Sequence, residues 1–435
     1  RLRYRAILCG AALKNDNTMN LRSYFKTGAP FEAVQIPEFR FLITGRFLFI
    51  LSLRMMSTLV GWWIYQLTNA PFAIGLIGLS EVIPALSLAL YAGHVIDISE
   101  KRKLLLSGVF MYVSAAFVLF LLSLQFTAKH LTHHHVALCI YVVIGCTGIV
   151  RAFAGPSFNV LLALIVPRQA LQNAITWNQG AWLAASVVGH AMGGFCIALF
   201  GNSSTLVCIC AGMAAAFAVL FPIKKKPPLI QNTEKKTLES VKEGLRFVFR
   251  TKDLLGAISL DMFAVFFGGA VAMVPVFARD ILKIGPEGFG ILNGASDVGA
   301  ICSVLLLTFF PMKRKQGQRL IIAVSAFGIC IVIFAFSKWF LLSFFALMLS
   351  GIFDGISVVI RGTIMQLRTP DAMKGRVMSV NSMFVNSSNE LGQFESGLMA
   401  KIMGVVPSVI FGGCTTFLVA VVTWFKAREL RKLEY

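Results

Sequence analysis

Twelve apolar runs decide which solvent this chain can fold in. They lie at roughly 40 to 65, 71 to 95, 103 to 126, 136 to 166, 173 to 199, 204 to 222, 254 to 280, 287 to 310, 319 to 336, 339 to 366, 376 to 401 and 406 to 426 of the 435 residues. About 20 consecutive apolar residues carry an α-helix across the ~30 Å hydrocarbon core of a bilayer. Hydrophobic residues make up 57% of the chain and charged residues 14%, and mean hydropathy is +0.76, more apolar surface than a soluble domain of this length needs. The expected fold is an all-α polytopic membrane protein with twelve transmembrane helices.

The formal net charge of +20 fits a nucleic-acid binder only when its cations gather on one face. Here they fall in alternate loops. With both termini on one side, that side carries 31 of the 40 Lys and Arg residues, and the other carries Lys129, Lys283, Lys338 and Lys401. Basic loops stay cytoplasmic, so both termini are expected there, with the bilayer and no nucleic acid as partner. The polar segment 1–39 lacks the apolar stretch of a signal peptide, and Met19 reads as a further start, with the residues before it an extension.

One long hydrophilic insert, 223–253, separates six runs (40–222) from six more (254–426), leaving a tail at 427–435. Its end places Leu238, Val241, Leu245, Val248 and Phe249 at helical spacing among charges, an amphipathic helix on the inner membrane face. Sliding the chain by 203 positions superposes Gly148 on Gly351, Pro167 on Pro370, Asn178 on Asn381, Gly189 on Gly392 and Gly194 on Gly397. Two pseudo-symmetric six-helix halves are expected, with the site between them near the midplane.

Between the second and third runs stands GHVIDISEKRK, Gly93 to Lys103. Gly93, Asp97, Lys101 and Arg102 resemble the loop motif G-x-L-a-D-r-x-g-r-k of the major facilitator superfamily. Ile98 and Glu100 depart from its arginine and glycine. The resemblance implies a gating latch on the cytoplasmic side. Phe263 to Leu282 and Asp354 to Gly397 resemble the branch that includes the enterobactin exporter and bacterial macrolide-efflux carriers.

A charge in the bilayer core costs about 2.5 to 3.5 kcal/mol on insertion scales, so each is a functional candidate. Arg54, Glu81, Arg151, Asp261, Asp297, Asp354, Arg361, Glu390 and Glu395 all lie inside runs. The 203-residue offset makes Arg151 and Asp354 equivalent, and the two are expected to face each other across the halves. Arg151 with Gly155 also resembles a fourth-span R-x-x-q-G, which in proton-coupled relatives implies a coupling arginine. Asp354, Glu390, Arg151 and Glu81 are the proton-coupling candidates. Arg54, Arg151, Arg361, Asp261 and Asp297 are the candidates for binding substrate. Gly189, His190, Gly193 and Gly194 resemble the antiporter motif G-P-x-x-G-G, with His190 in the proline position.

His130, His133, His134 and His135 cluster before the fourth run without a Cys or carboxylate companion, and no metal site or cofactor is expected. Eight cysteines fall inside apolar runs without C-x-x-C spacing and are expected as small core residues. No H-E-x-x-H, G-x-S-x-G or Walker loop occurs, so the chain is not expected to be an enzyme. The expected function is secondary active transport, most simply proton-coupled export of a small organic molecule such as a siderophore or drug, by a monomer in a bacterial inner membrane. A proton symporter bringing a solute in and a non-transporting receptor or scaffold are the alternatives.

Overall fold

The computed structural model describes residues 31–226, 237–310, 312, 314–370 and 373–434. Among them every regular element is helical. Ten segments are long and apolar enough to cross a membrane. In chain order the long elements are α1 (Pro37–Thr68), α2 (Pro71–Ile98), α3 (Lys101–Ser123), α4 (His133–Ile165) and α5 (Leu171–Leu220). After the linker come α6 (Thr237–Arg250), α7 (Lys252–Phe267), α8 (Pro286–Phe309), α9 (Gln316–Phe336), α10 (Phe340–Arg368), α11 (Lys374–Met403) and α12 (Val405–Lys426).

Local chemistry explains where these helices start and stop. Pro37, Pro71 and Pro286 open α1, α2 and α8, where a missing N–H costs nothing. Asn69, left-handed at φ 49°, closes α1. At 50 residues α5 would run about 75 Å if straight, far beyond a bilayer core. It breaks at Gly201, whose φ of 75° and ψ of 178° only a glycine adopts readily. Thr132 caps α4 by accepting from the His135 N–H, so three of the clustered histidines form its first turn.

Two expectations need correction. The run at 254–280 is not one helix: α7 stops at Phe267, and a 3₁₀ turn (Gly269–Met273) and a π turn (Phe277–Ile281) follow. Gly268 and Gly269 are poor helix formers and Pro275 has no N–H to bond backwards, so hydropathy continues where the hydrogen-bond ladder does not. The cysteines are not uniformly core either. Cys330 is buried, but Cys146, Cys208 and Cys414 are exposed on an apolar outer surface. Lipid accepts apolar side chains as readily as a protein interior does, so burial cannot be read from hydropathy here.

α1 packs most extensively on α5, α8 on α10 and α9 on α12, and α2 packs on α4 within its own half. The two groups of helices, before and after α6, meet along two seams, α2 with α11 and α5 with α8. Small residues permit both. A methyl added to Gly194 would meet Gly290 Cα at 2.8 Å, and one added to Gly397 would meet Gly75 Cα at the same distance. Gly75, Gly290 and Gly397 lie toward the ends of their helices, and Gly194 toward the break at Gly201, away from the start of α1 and the end of α12. At the other ends, a methyl on Gly155 or on Gly362 would meet nothing within 4 Å. Among the described residues the halves thus meet through close glycine contacts at one face, and the face on which α1 begins and α12 ends, which lacks such contacts between halves, is the more open one.

On that open face α6 packs against α11, α7 and α2. Glu243 pairs with Arg376 at the start of α11, and Val248 is buried beneath.

Candidate functional site

The closed face is sealed by aromatic and charged contacts. The Tyr65 hydroxyl donates to Asp280, and Arg279 lies over the Tyr65 ring, 5.3 Å from its centroid. Trp62 stacks on Phe289 at 5.5 Å, and Phe72 carries Phe394 on one side and the Lys401 ammonium on another. Sequence reasoning missed Tyr65, Arg279 and Asp280. The two charges sit at the end of an apolar run, where they look like ordinary loop residues.

Below this seal, charges join the halves. Arg151 Nη1 on α4 bonds Glu81 Oε1 of α2 at 2.7 Å and Glu390 Oε1 of α11 at 2.6 Å. One guanidinium therefore holds two carboxylates, one from each half. Arg151 and Asp354 do not face each other as a pair. Asp354 on α10 has no ion pair or hydrogen bond among the described residues and lies in the electrostatic field of Asp297. Residues at equivalent repeat positions are related by the pseudo-axis and touch only if they lie on it; α4 and α10 stand off it, behind the two seams.

The second seam has its own polar cluster. Ser186 donates to Asp297 Oδ2 at 2.5 Å, and His190 Nε2 lies 3.8 Å from the same oxygen. His190 Nδ1 meets the Thr58 hydroxyl at 2.8 Å, linking α1, α5 and α8. His190 thus stands among polar partners at the seam, in the motif whose Gly194 makes the close approach; Gly189 and Gly193 pack on the α1 backbone at Leu51 and Met55.

The remaining candidates separate into satisfied and unsatisfied charges. Arg361 pairs with Asp261, which also accepts from Ser357 at 3.4 Å; the two charged side chains are buried to 5% and 3% exposure inside the second half. Arg54 has no carboxylate within ion-pair distance among the described residues and rests its guanidinium over Trp182, 5.2 Å from the centroid. Arg46, which the sequence shows only as one more charge in a span, donates to Asn159 Oδ1 at 3.0 Å and lies over Phe158 at 5.2 Å.

Of the loop motif, Lys101 is fully buried and donates to the backbone carbonyls of Ile96 and Ser99 at the end of α2, where a cation suits the helix dipole. Arg102 donates to the Phe221 carbonyl at 2.6 Å and covers its ring. The surroundings of Gly93 and the side chain of Asp97 lie outside the described residues. Among the described residues no group of three or more His, Cys, Asp or Glu side chains is gathered as metal ligands would be.

A family model covers nearly the whole chain, and solved structures share its fold. Residues 28–434 match the family described as transmembrane secretion effector. The proteins named enterobactin exporter EntS from Shigella boydii serotype 18 and Escherichia coli O81 are each 23% identical over 399 residues, 91% of this chain and 93% of theirs. Among solved structures, the nucleoside transporter NupG aligns with a TM-score of 0.71 at 14% identity, covering 89% of this chain and 99% of its own. A D-xylose-proton symporter gives 0.68 at 15%, covering 92% and 98%. A bacterial homologue of the human lysosomal transporter Spinster, inward-facing and unoccupied, gives 0.66 at 13%, covering 91% and 97%.

Proposed function

This chain belongs to the transmembrane secretion effector family of the major facilitator superfamily and is a multi-pass membrane transporter, not an enzyme; from that premise we propose that it exports a small organic molecule in exchange for protons by alternating access. Both arms of α5 and the polar α11 count as spans in this reading, which makes twelve, in halves 40–222 and 254–426. The distribution of Lys and Arg puts the termini in the cytoplasm of a bacterium and the open face inward. The chain acts as a monomer, and a siderophore or drug is the cargo class suggested by the named relatives.

The observation that carries the reading is the bridge from Arg151 to Glu81 and Glu390. A charge held between two halves by one carboxylate from each cannot survive their separation intact, because the inter-half bond to Glu390 must break. Glu390 is then left in a low-dielectric site without its cation, and taking up a proton is the cheapest way for it to remain there. Asp354, already without a partner, is the second carrier. Gly93, Asp97, Lys101 and Arg102 form the latch that closes the cytoplasmic face in the opposite state.

Inverted vesicles with an acid interior test this. A panel of siderophores and drugs should yield a compound that accumulates only with the gradient, and Glu390→Gln or Asp354→Asn should abolish accumulation while preserving exchange between pools at equal pH. Accumulation driven only by the reversed gradient would make the protein an importer; no movement of any compound under either gradient would favour a receptor.

A further inference from the structure

We infer that α1 carries an anion-binding ladder, Arg46 and Arg54, that receives an aromatic organic anion from the open face. This rests on the export reading for its direction and adds the charge class of the cargo, an acidic aromatic molecule rather than a cationic one.

The wall that carries the ladder faces the open cavity. Arg151, Gly155 and Asn159 recur every four residues on α4 and so share one side of it. Arg151 touches the other half, nothing lies over Gly155, and Asn159 is exposed and hydrogen-bonded to Arg46. Arg46 therefore lines the space beneath the triad. Arg54 stands eight residues further along α1, about 12 Å deeper at 1.5 Å per residue.

Charge accounting singles these two out. Arg151 holds Glu81 and Glu390, and Arg361 holds Asp261. Neither Arg46 nor Arg54 has a carboxylate within ion-pair distance among the described residues. The acids whose fields reach Arg54, Asp297 and Glu390, are engaged by Ser186 and by Arg151. A cation kept in a span without a counter-ion calls for one from outside the chain.

The local geometry suits an acid. Each guanidinium lies over an aromatic ring, Phe158 or Trp182, which fixes the plane of a fork suited to the hydrogen bonds that carboxylates accept. Arg46 Nε is buried without a hydrogen-bond partner, and Asn159 uses only Nη1. On α10, Val358 is exposed and a methyl on Gly362 would meet nothing, an apolar surface in the other half suited to the ring of such a ligand.

Calorimetric titration of the purified full chain in detergent micelles tests the ladder without any gradient. The probes are biphenyl dicarboxylate, its uncharged diamide and the aromatic cation tetraphenylphosphonium. The dicarboxylate should bind and the other two should not. Arg46→Gln and Arg54→Gln should each weaken it by about tenfold or more, and the double variant should show no heat. Arg46→Lys, which keeps the charge but loses the planar fork, should fall between. Should Arg46→Gln fail to elute as a folded species, Arg46→Lys carries the comparison, with several-fold weakening expected. Absence of dicarboxylate binding to the unaltered chain, equal affinity in the folded variants, or preference for the cation would overturn the inference. None of those results would disturb the transport reading, which the vesicle experiment decides separately.

Discussion

The two seams are repeat copies of one another, since shifting by one half turns the contact of α2 with α11 into that of α8 with α5. Their glycines preserve the relation: Gly194 approaches Gly290 in one seam as Gly397, its repeat equivalent, approaches Gly75 in the other. The polar groups do not preserve it. The α2 and α11 seam is locked by full charges around Arg151, whereas the α5 and α8 seam relies on a hydroxyl donating to Asp297 and an imidazole at 3.8 Å. Backbone proximity is thus the shared requirement for the closed face, and ionic locking was added to one side only. The halves need not part symmetrically.

The largest break in that asymmetry should come from Arg151→Gln, which leaves Glu81 and Glu390 facing each other. Removing one partner of a buried ion pair costs about 3 to 5 kcal/mol, and because the Arg151 side chain keeps 37% of its surface exposed, the lower end applies. A lowered unfolding temperature and loss of transport are expected, and a variant as stable as the parent would mean the triad does not lock the seam. Gly194→Ala comes next: a methyl forced against Gly290 costs about 1 to 3 kcal/mol and should open the closed face to thiol reagents, read from a cysteine placed nearby. Protection equal to the parent's would show that the seam relaxes around the methyl. Smallest is Asp297→Asn, which keeps a hydrogen-bonding group beside Ser186 and His190 and should cost about 1 kcal/mol or less. A loss as large as that of Arg151→Gln would make the seams equals after all.

Much of this architecture is written in the chain itself. Long apolar runs, the one-sided Lys and Arg residues and the coincidence of Gly194 with Gly397 were enough for membrane helices in two related halves, because these are properties of single segments. Contact partners were not legible. The repeat made Arg151 and Asp354 equivalent, and equivalence was mistaken for apposition; Glu81 and Glu390, also visible as charges in spans, are the true partners because α2 and α11 lie at the seam. The break after Phe267 was hidden for a related reason: hydropathy measures solvent preference, while Gly268, Gly269 and Pro275 act on the backbone. Arg46 was no more than one cation among several in spans, since its importance lies in what does not pair with it.

The composition of α11 bears on how the protein is made. This 30-residue helix carries Asn381, Asn386, Asn389, Glu390, Gln393 and Glu395, and it is absent from the ten segments apolar enough to cross a membrane by composition. Delivered alone from the ribosome to the insertion machinery, it would partition to water. Its successor α12 is strongly apolar and follows after a single residue, Gly404, whose φ of 91° turns the chain sharply. The two helices are therefore expected to enter the lipid as one hairpin, so that synthesis would run past Lys426 before Glu390 reaches Arg151. A chain released at Met403 would lack the ionic lock even though every residue of the lock had been translated.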